Sequence, residues 1–246
     1  MIRGLIFDLD GTLVRSEHLK ALSYARALDE LDPTTTHERQ TAEAFQDVIG
    51  MSREAVADHL LACMGLSEVA AKRAKELGLA EPRDALLGER LRIYREMMRE
   101  PGVLRRYRMR HATELLFSSR DLGYCIALAT GATCETAEKV LAAIDLADCF
   151  DAIVSGHEVP HNKPAADIYL DAARRLGLSP EECVAIEDSR VGVQAAVSAG
   201  LRCIAVTTAY SRPGVRVSGL LDARWIVDDS QDLSAVFGRL LAEGTQ

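Results

Sequence analysis

From residue 102 onward, short apolar runs alternate with longer stretches of helical periodicity, and this order constrains the fold more than any other feature. The apolar runs predict strands over 124–130, 151–155, 184–187, 203–206 and 225–227, and the stretches between and around them predict helices over 110–121, 134–144, 166–176, 191–199 and 233–242. Such alternation is typical of a parallel sheet with helices on both faces. We therefore expect an α/β fold.

The first strand is separated from this series by a long insert. An apolar run over 2–7 ends at Asp8 and Asp10, which predicts a buried strand followed by a loop. Residues 16–98 then show only helical periodicity, interrupted by glycines and prolines, and predict four or five helices. The sequence therefore predicts two domains, an α/β core made of 1–15 and 100–246 and a helical domain at 16–99.

Composition narrows the expected partners and location. The chain has 246 residues, 48% of them hydrophobic, and a formal net charge of −8, which suits a globular protein and weighs against nucleic-acid or anionic-membrane partners. No apolar run approaches the roughly 20 residues that span a membrane, and Met1 leads into the first strand without a visible signal peptide. We expect a cytoplasmic protein with no nucleic-acid, membrane or obligate protein partner.

Polar residues stand where three of the predicted strands end. The first strand is followed by Asp8-Leu9-Asp10-Gly11-Thr12, the second by Thr130-Gly131, and the strand at 184–187 by Asp188-Ser189, with Lys163-Pro164 before that last strand. Each signal alone is weak, because an aspartate after a strand often caps a helix and a Thr-Gly pair is often a turn. Ligands of open parallel sheets bind beyond the carboxyl ends of the strands, so the joint pattern predicts a site there.

The first of these residues suit chemistry on a phosphate ester. Asp8 and Asp10 are two apart on an extended chain, so their side chains point to one side. One carboxylate can then attack phosphorus while the other handles the proton of the leaving group. A carboxylate and a phosphate dianion repel each other by about 8 kcal/mol at ~4 Å and an effective dielectric of about 20. Lys163 supplies positive charge against that repulsion.

The remaining residues suit phosphate and metal binding. Thr130 offers a hydroxyl and Gly131 an unobstructed backbone N–H to the phosphoryl oxygens. Asp8, Glu187 and Asp188 offer the hard oxygen ligands that Mg²⁺ prefers. The sequence therefore predicts a magnesium-assisted reaction on a phosphoryl group.

Together these motifs resemble those of the haloacid dehalogenase superfamily, in particular its β-phosphoglucomutase and phosphoglycolate phosphatase type. The resemblance covers essentially the whole chain, because the helical insert is similar to the family's small helical cap. It implies a Rossmann-like doubly wound parallel sheet core with an all-helical cap domain inserted after the first strand. It also implies a Mg²⁺-dependent phosphatase that acts on a small phosphorylated metabolite such as a sugar or sugar-acid phosphate.

The resemblance also implies a role for each motif residue. Asp8 is the nucleophile and becomes an aspartyl phosphate, and Asp10 is general acid and then general base. Thr130, with Gly131 beside it, and Lys163 bind the phosphoryl group. The implied metal ligands are Asp8, Asp10 through its backbone carbonyl, Asp188 and Glu187.

Cations in the helical insert are candidate substrate contacts. The segment 50–53 resembles the cap segment that in sugar-phosphate members of the family presents an arginine to the substrate. Arg53 is therefore a candidate for binding an anionic group of the substrate that is distant from the reacting phosphate. The alternative is a solvated arginine on the first turn of a helix. Mutase-type relatives usually carry an acid and a histidine where this chain has Arg15 and Lys20, and His18 falls on another helix face. These departures favour a phosphatase and an acidic or doubly phosphorylated substrate, with Lys20 among its contacts.

Three other functions stay open beside the phosphatase. A phosphomutase would use the same scaffold, a phosphoacceptor signalling domain would use a similar set of Asp, Thr, Lys and Mg²⁺, and a non-catalytic binding protein would keep only the fold. The basic run over 105–110 has two interpretations, a nucleic-acid contact or a solvated helix start, and the acidic balance of the chain favours the second.

Overall fold

The computed structural model describes residues 1–48, 53–100, 102–228 and 232–243. The chain divides into two compact units, one formed by Met1–Arg15 with Leu104–Gln246 and the other by Ser16–Val103. In the part of the chain that is described, the first unit contains every strand and the second contains helices alone. No helix among these residues is long and apolar enough to cross a bilayer.

Six strands form one sheet within the described residues of the first unit. They are β1 (Gly4–Phe7), β2 (Cys125–Thr130), β3 (Ala152–Ser155), β4 (Cys183–Glu187), β5 (Arg202–Val206) and β6 (Ile226–Val227). All neighbours are parallel, in the spatial order β3-β2-β1-β4-β5-β6. Phe7 lies opposite both Leu128 and Ile186, so the carboxyl ends of β1, β2 and β4 are side by side. The predicted α/β fold is confirmed.

The second unit is built from amphipathic helices. They are α1 (Ser16–Leu31), α2 (Glu38–Phe45), α3 (Arg53–Cys63), α4 (Ser67–Leu77) and α5 (Pro82–Arg99), with a 3₁₀ turn at Gln46–Val48. Helix α5 begins with Pro82 after a reciprocal capping box between Glu81 and Asp84. Helix α4 ends at Gly78, which adopts a left-handed conformation at φ 68°. The local sequence thus fixes where these two helices begin or end.

The remaining helices follow the strands of the sheet. They are α6 (Val103–Arg106), α7 (Arg110–Asp121), α8 (Cys134–Ala143), α9 (Asp167–Arg175), α10 (Arg190–Ser198), α11 (Arg212–Ser218) and α12 (Leu233–Glu243), with 3₁₀ turns at Pro180–Glu182 and Ala223–Trp225. Predicted and observed ends differ by one or two residues. Sequence periodicity did not predict α6 or α11, because each is short and α11 contains both a proline and a glycine.

Helix α9 shows how the helices attach to the sheet. Its residues Ile168, Tyr169, Ala172 and Ala173 are buried and belong to a core cluster with Ile6, Ala127 and Ala185 of the strands. The alanines let the helix approach the sheet closely, and Ile168 supplies bulk at this contact. On the opposite side of α9, Leu170 is 44% exposed.

The two faces of α9 give a paired stability prediction. We expect Ile168→Ala to lower the free energy of unfolding by about 2–5 kcal/mol, because it leaves a cavity between helix and sheet. Leu170→Ala on the same helix should change it by less than about 0.5 kcal/mol. Urea denaturation followed by circular dichroism measures both, and equal losses in the two variants would contradict this packing.

Candidate active site at the carboxyl edge of the sheet

Asp8 lies at the point where the strand order reverses. It follows β1 directly, and its backbone N–H donates to the Ile186 carbonyl of neighbouring β4 at 3.0 Å. Successive strands after β1 extend the sheet first toward β3 and then, from β4, toward β6. In sheets of this kind ligands bind in the crevice at the reversal. The fold therefore presents the Asp8 carboxylate at the position where a ligand is expected.

Lys163 links Asp8 to the neighbouring strands. Its ammonium Nζ donates to Asp8 Oδ1 at 2.6 Å, to Glu187 Oε1 at 2.6 Å and to the Ala129 carbonyl at 3.0 Å. The Lys163 and Asp8 side chains are each 9% exposed. An ammonium group has three N–H donors, so Lys163 is fully engaged by β1, β2 and β4. Four residues predicted separately from sequence thus lie together: Asp8, Lys163, Glu187 and, at the end of β2, Thr130.

The Glu187 carboxylate is completely buried and accepts five hydrogen bonds. Oε1 accepts from Lys163 and from the Tyr169 hydroxyl at 2.8 Å, while Oε2 accepts from the backbone N–H groups of Asp188 and Ser189 and from the Ser189 hydroxyl. These donors occupy its lone pairs. A Cβ at Gly192 would overlap this carboxylate, so the glycine makes room for it.

Three carboxylates at this edge could hold a metal ion. Oxygen atoms of Asp8, Glu187 and Asp188 lie within 4.8 Å of one another, and all three residues are buried. Gly11 adopts a left-handed conformation at φ 85°, and the Asp188 carboxylate occupies the space that a side chain at residue 11 would fill. Three buried carboxylates with one ammonium leave an excess of negative charge. A divalent cation with a preference for oxygen ligands fits both that charge and this donor set.

The pKa values of Asp8 and Lys163 reflect burial first and the neighbouring charges second. Burial raises the pKa of Asp8 to about 8, with Lys163 acting against the shift and Glu187 adding to it. Burial acts to lower the pKa of Lys163, but the charges of Asp8 and Glu187 outweigh it, and the net shift is upward. The lysine therefore stays charged, while burial favours the neutral form of Asp8 unless further positive charge is supplied.

The other predicted phosphate-binding residues follow β2. Thr130 is buried, and its Oγ1 accepts the backbone N–H of Ala132 at 3.1 Å. Gly131 is next in the chain, and a Cβ there would have only the Asn162 side chain within 4 Å. The Gly131 backbone is thus open on its side-chain face, as the sequence hypothesis requires.

Asp10 lies beside the cluster, close enough for its charge to act on Asp8, whereas Lys20 and Arg53 belong to the helical unit. Asp10 is half-buried in the turn after β1, where it forms a bridge with Val14, and it is not one of the three clustered carboxylates. Lys20 is in the helical unit, where its Nζ pairs with Glu17 at 3.2 Å. Arg53 is the first residue of α3, and residues 50–52 of its predicted motif fall outside the described part of the chain.

A family model described as a haloacid dehalogenase-like hydrolase matches residues 2–200, which is more than half of the chain. This chain belongs to the haloacid dehalogenase-like hydrolases. The resemblance found in its motifs is thereby confirmed.

Two relatives of this hydrolase cover most of its length. Protein CbbY of Rhodobacter capsulatus is 31% identical over 226 residues, which cover 86% of this chain and 88% of that protein. Hexitol phosphatase B of Escherichia coli K12 is 32% identical over 211 residues, 83% of each chain. A solved HAD family hydrolase of Deinococcus radiodurans R1 shares the fold, with a TM-score of 0.72, 24% identity and coverage of 97% and 96%. The hydrolase is accordingly an enzyme, a phosphatase of this family.

Sequence reasoning missed two buried polar residues. Tyr169 donates to Glu187, and Lys163 Nζ lies 5.2 Å from the centre of its ring. Arg90 is 5% exposed in the helical unit, where Nε donates to Ser23 at 2.9 Å and the guanidinium lies over Tyr24 and Tyr94. Arg90 shares its helix face with buried Leu86, Ile93 and Met97, so their 3.6-residue spacing was the signal that could have found it.

Three arginines of the basic run over 105–110 are engaged by other groups of the α/β unit, two of them by carboxylates. Arg105 pairs with Asp145, and Arg110 pairs with Glu114 at 2.7 Å. Arg108 donates to the Ile144 carbonyl at 3.1 Å. Because these guanidinium groups are engaged within the α/β unit, the geometry favours the solvated helix start over a nucleic-acid contact.

The hydrogen bond from Tyr169 to a buried carboxylate should be measurable as stability. We expect Tyr169→Phe to lower the free energy of unfolding by about 1.5–3 kcal/mol, because it removes one donor from an anion that water cannot reach. Tyr124→Phe is the matched control, since the Tyr124 hydroxyl makes no hydrogen bond with the described residues. Thermal unfolding of both variants measures the difference, and identical melting temperatures would contradict this role.

Proposed function

We propose that this hydrolase is a Mg²⁺-dependent phosphatase that releases phosphate from a small sugar or sugar-acid phosphate through an aspartyl phosphate on Asp8. The observation that carries the proposal is the pairing of the Asp8 and Lys163 side chains at 2.6 Å, at the reversal point of the sheet. This pairing holds a carboxylate oxygen beside a fixed cation, which a nucleophile for a phosphate dianion requires.

The first half of the proposed reaction transfers the phosphoryl group to the enzyme. A carboxylate oxygen of Asp8 attacks phosphorus and forms the new O–P bond, while the bond to the substrate oxygen breaks. Asp10 gives its proton to that leaving oxygen, which departs as a hydroxyl group. Lys163 offsets charge on the phosphoryl oxygens, and Thr130 and Gly131 donate hydrogen bonds to them.

The second half returns the enzyme to its starting state. Asp10 now takes a proton from a water molecule, whose oxygen attacks phosphorus as the bond to Asp8 breaks. Inorganic phosphate leaves and the Asp8 carboxylate is restored. Asp8, Asp188 and the Asp10 carbonyl are the groups that we propose hold Mg²⁺, which when bound supplies further positive charge to the phosphoryl oxygens. Glu187 was also predicted as a metal ligand, but its oxygens already accept five hydrogen bonds, so we propose that it orients Lys163 instead.

Within the helical unit, Arg90 and Arg53 form a pair of interacting cations that suits an anionic group. Among the described residues, the buried Arg90 guanidinium donates a hydrogen bond only to the Ser23 hydroxyl. It pairs with no carboxylate there. Burial lowers the pKa of Arg90, and the charge of Arg53 contributes in the same direction, so the two cations feel each other. Two cations that repel each other attract an anion between them. The name of the relative hexitol phosphatase B supports a phosphorylated sugar or sugar alcohol as the substrate.

The central test is phosphate release from a panel of sugar and sugar-acid phosphates. We expect release with Mg²⁺, none with chelator, and a loss of about 10⁴-fold or more in Asp8→Asn, because an amide cannot act as the nucleophile. Asp148→Asn, which changes an exposed aspartate of the same unit, is the control and should keep parental activity.

Two outcomes would redirect the assignment. Phosphate release by Asp8→Asn at a rate close to the parent's would eliminate Asp8 as the nucleophile. Isomerised sugar phosphate formed only in the presence of a sugar bisphosphate would identify a mutase, which returns the phosphoryl group to the substrate and not to water.

The two arginines give a substrate-dependent prediction. We expect Arg53→Ala and Arg90→Met each to raise KM about tenfold or more for a substrate with a second anionic group, because each loses a charge-assisted hydrogen bond. Hydrolysis of p-nitrophenyl phosphate, which has no such group, should change by less than about twofold. Arg95→Ala, at an exposed position of the same helix as Arg90, is the control. Equal losses on both substrates would contradict the role.

A further inference from the structure

The loop between β3 and α9 carries a polar side chain that the proposed reaction does not use. Asn162 stands immediately before Lys163, and its Oδ1 accepts the backbone N–H of Lys163 at 2.7 Å. Since the oxygen of the carboxamide is engaged in this way, its Nδ2 end must face elsewhere. Nδ2 donates no hydrogen bond to any residue that the structure describes.

Two glycines at adjacent strand ends define where that carboxamide lies. Gly131 follows β2 and Gly156 follows β3, and the Gly156 N–H donates to the Thr130 carbonyl at 2.7 Å. A Cβ at Gly156 would overlap Nδ2, Cγ and Oδ1 of Asn162 almost equally, with Nδ2 the nearest, so the carboxamide rests flat on that glycine. Gly156 is buried and leaves the space that the Asn162 side chain fills.

The free end of the carboxamide is beside the phosphate-binding turn. A Cβ at Gly131 would have a single neighbour within 4 Å, namely Nδ2 of Asn162 at 3.7 Å. The next residue, Lys163, reaches Asp8 with its Nζ. Asn162 thus lies between the backbone of Gly131 and the lysine that holds the nucleophile.

We propose that Asn162 is a further substrate-binding residue, whose Nδ2 donates a hydrogen bond to a phosphoryl oxygen beside Gly131. The inference rests on the proposed function, since it concerns the same phosphoryl group. Its physical basis is an N–H donor that is held in place by an intramolecular contact and has no acceptor within the described part of the chain. A residue that only shapes the loop would need Oδ1 alone.

Asn162→Asp separates the two roles, because it keeps an oxygen for the Lys163 N–H but replaces the donor with a negative charge. We expect Asn162→Ala to weaken the binding of inorganic phosphate about tenfold and to raise KM similarly. Asn162→Asp should weaken both further, by about a hundredfold, since the carboxylate also repels phosphate. Titration calorimetry with inorganic phosphate and Mg²⁺, alongside steady-state kinetics, measures these changes, and His161→Ala in the same loop is the control.

Gly156→Ala provides a second variant that leaves Asn162 in the sequence. Its new methyl group would displace the carboxamide, so alone it should weaken phosphate binding as Asn162→Ala does. All three of the nearest atoms belong to Asn162, so adding Gly156→Ala to Asn162→Ala should change little.

The outcomes distinguish this inference from the proposed function. Parental phosphate affinity and KM in Asn162→Asp, with the melting temperature unchanged, would overturn the role of Asn162 and leave the phosphatase assignment intact. If the parent protein releases no phosphate from any compound, the proposed function is overturned. Even then, equal binding of inorganic phosphate by the parent and by Asn162→Asp would reject the Asn162 contact.

Discussion

The Lys163 ammonium contacts two of the three buried carboxylates, those of Asp8 and Glu187, and the geometry of the sheet edge depends on it. It joins the ends of β1, β2 and β4 through contacts to Asp8, Ala129 and Glu187. One positive charge does not balance three carboxylates, and burial keeps water from screening the remaining negative charge. The resulting demand for further positive charge explains why the same edge is suited to a divalent cation.

Close packing around Glu187 makes this arrangement rigid. Five donors fix the carboxylate, one of them the Tyr169 hydroxyl from α9, and Gly192 provides the space it needs. A glutamate with all its lone pairs occupied acts on the reaction through Lys163. The site is therefore held by the strands and by α9, and binding of substrate need not reorganise it.

Sequence patterns predicted the elements with a regular hydrophobic period and the polar residues that stand at strand ends. Alternation of strands and helices gave the parallel sheet, and the ends of three strands gave Asp8, Thr130 and Glu187. Helix α11 was not predicted, since seven residues with proline and glycine show no helical period. Tyr169 and Arg90 lie on the buried faces of their helices, where the sequence pattern does not distinguish a polar side chain with a specific contact from an ordinary core residue. Asn162 lies in a loop, and its role depends on contacts with residues distant in sequence.

The position of β1 in the sheet has a consequence for how the chain folds. Strand β1 is made first but pairs on both sides with strands that come more than a hundred residues later, and the contact between Asp8 and Lys163 spans 155 positions. The helical unit of 16–103 is one continuous stretch of chain, so all of its contacts can form once residue 103 has been made, whereas the central strand must wait for β4. During synthesis this fully buried strand thus stays unpaired on one edge until residue 187 has emerged, a period in which chaperone protection has the greatest effect.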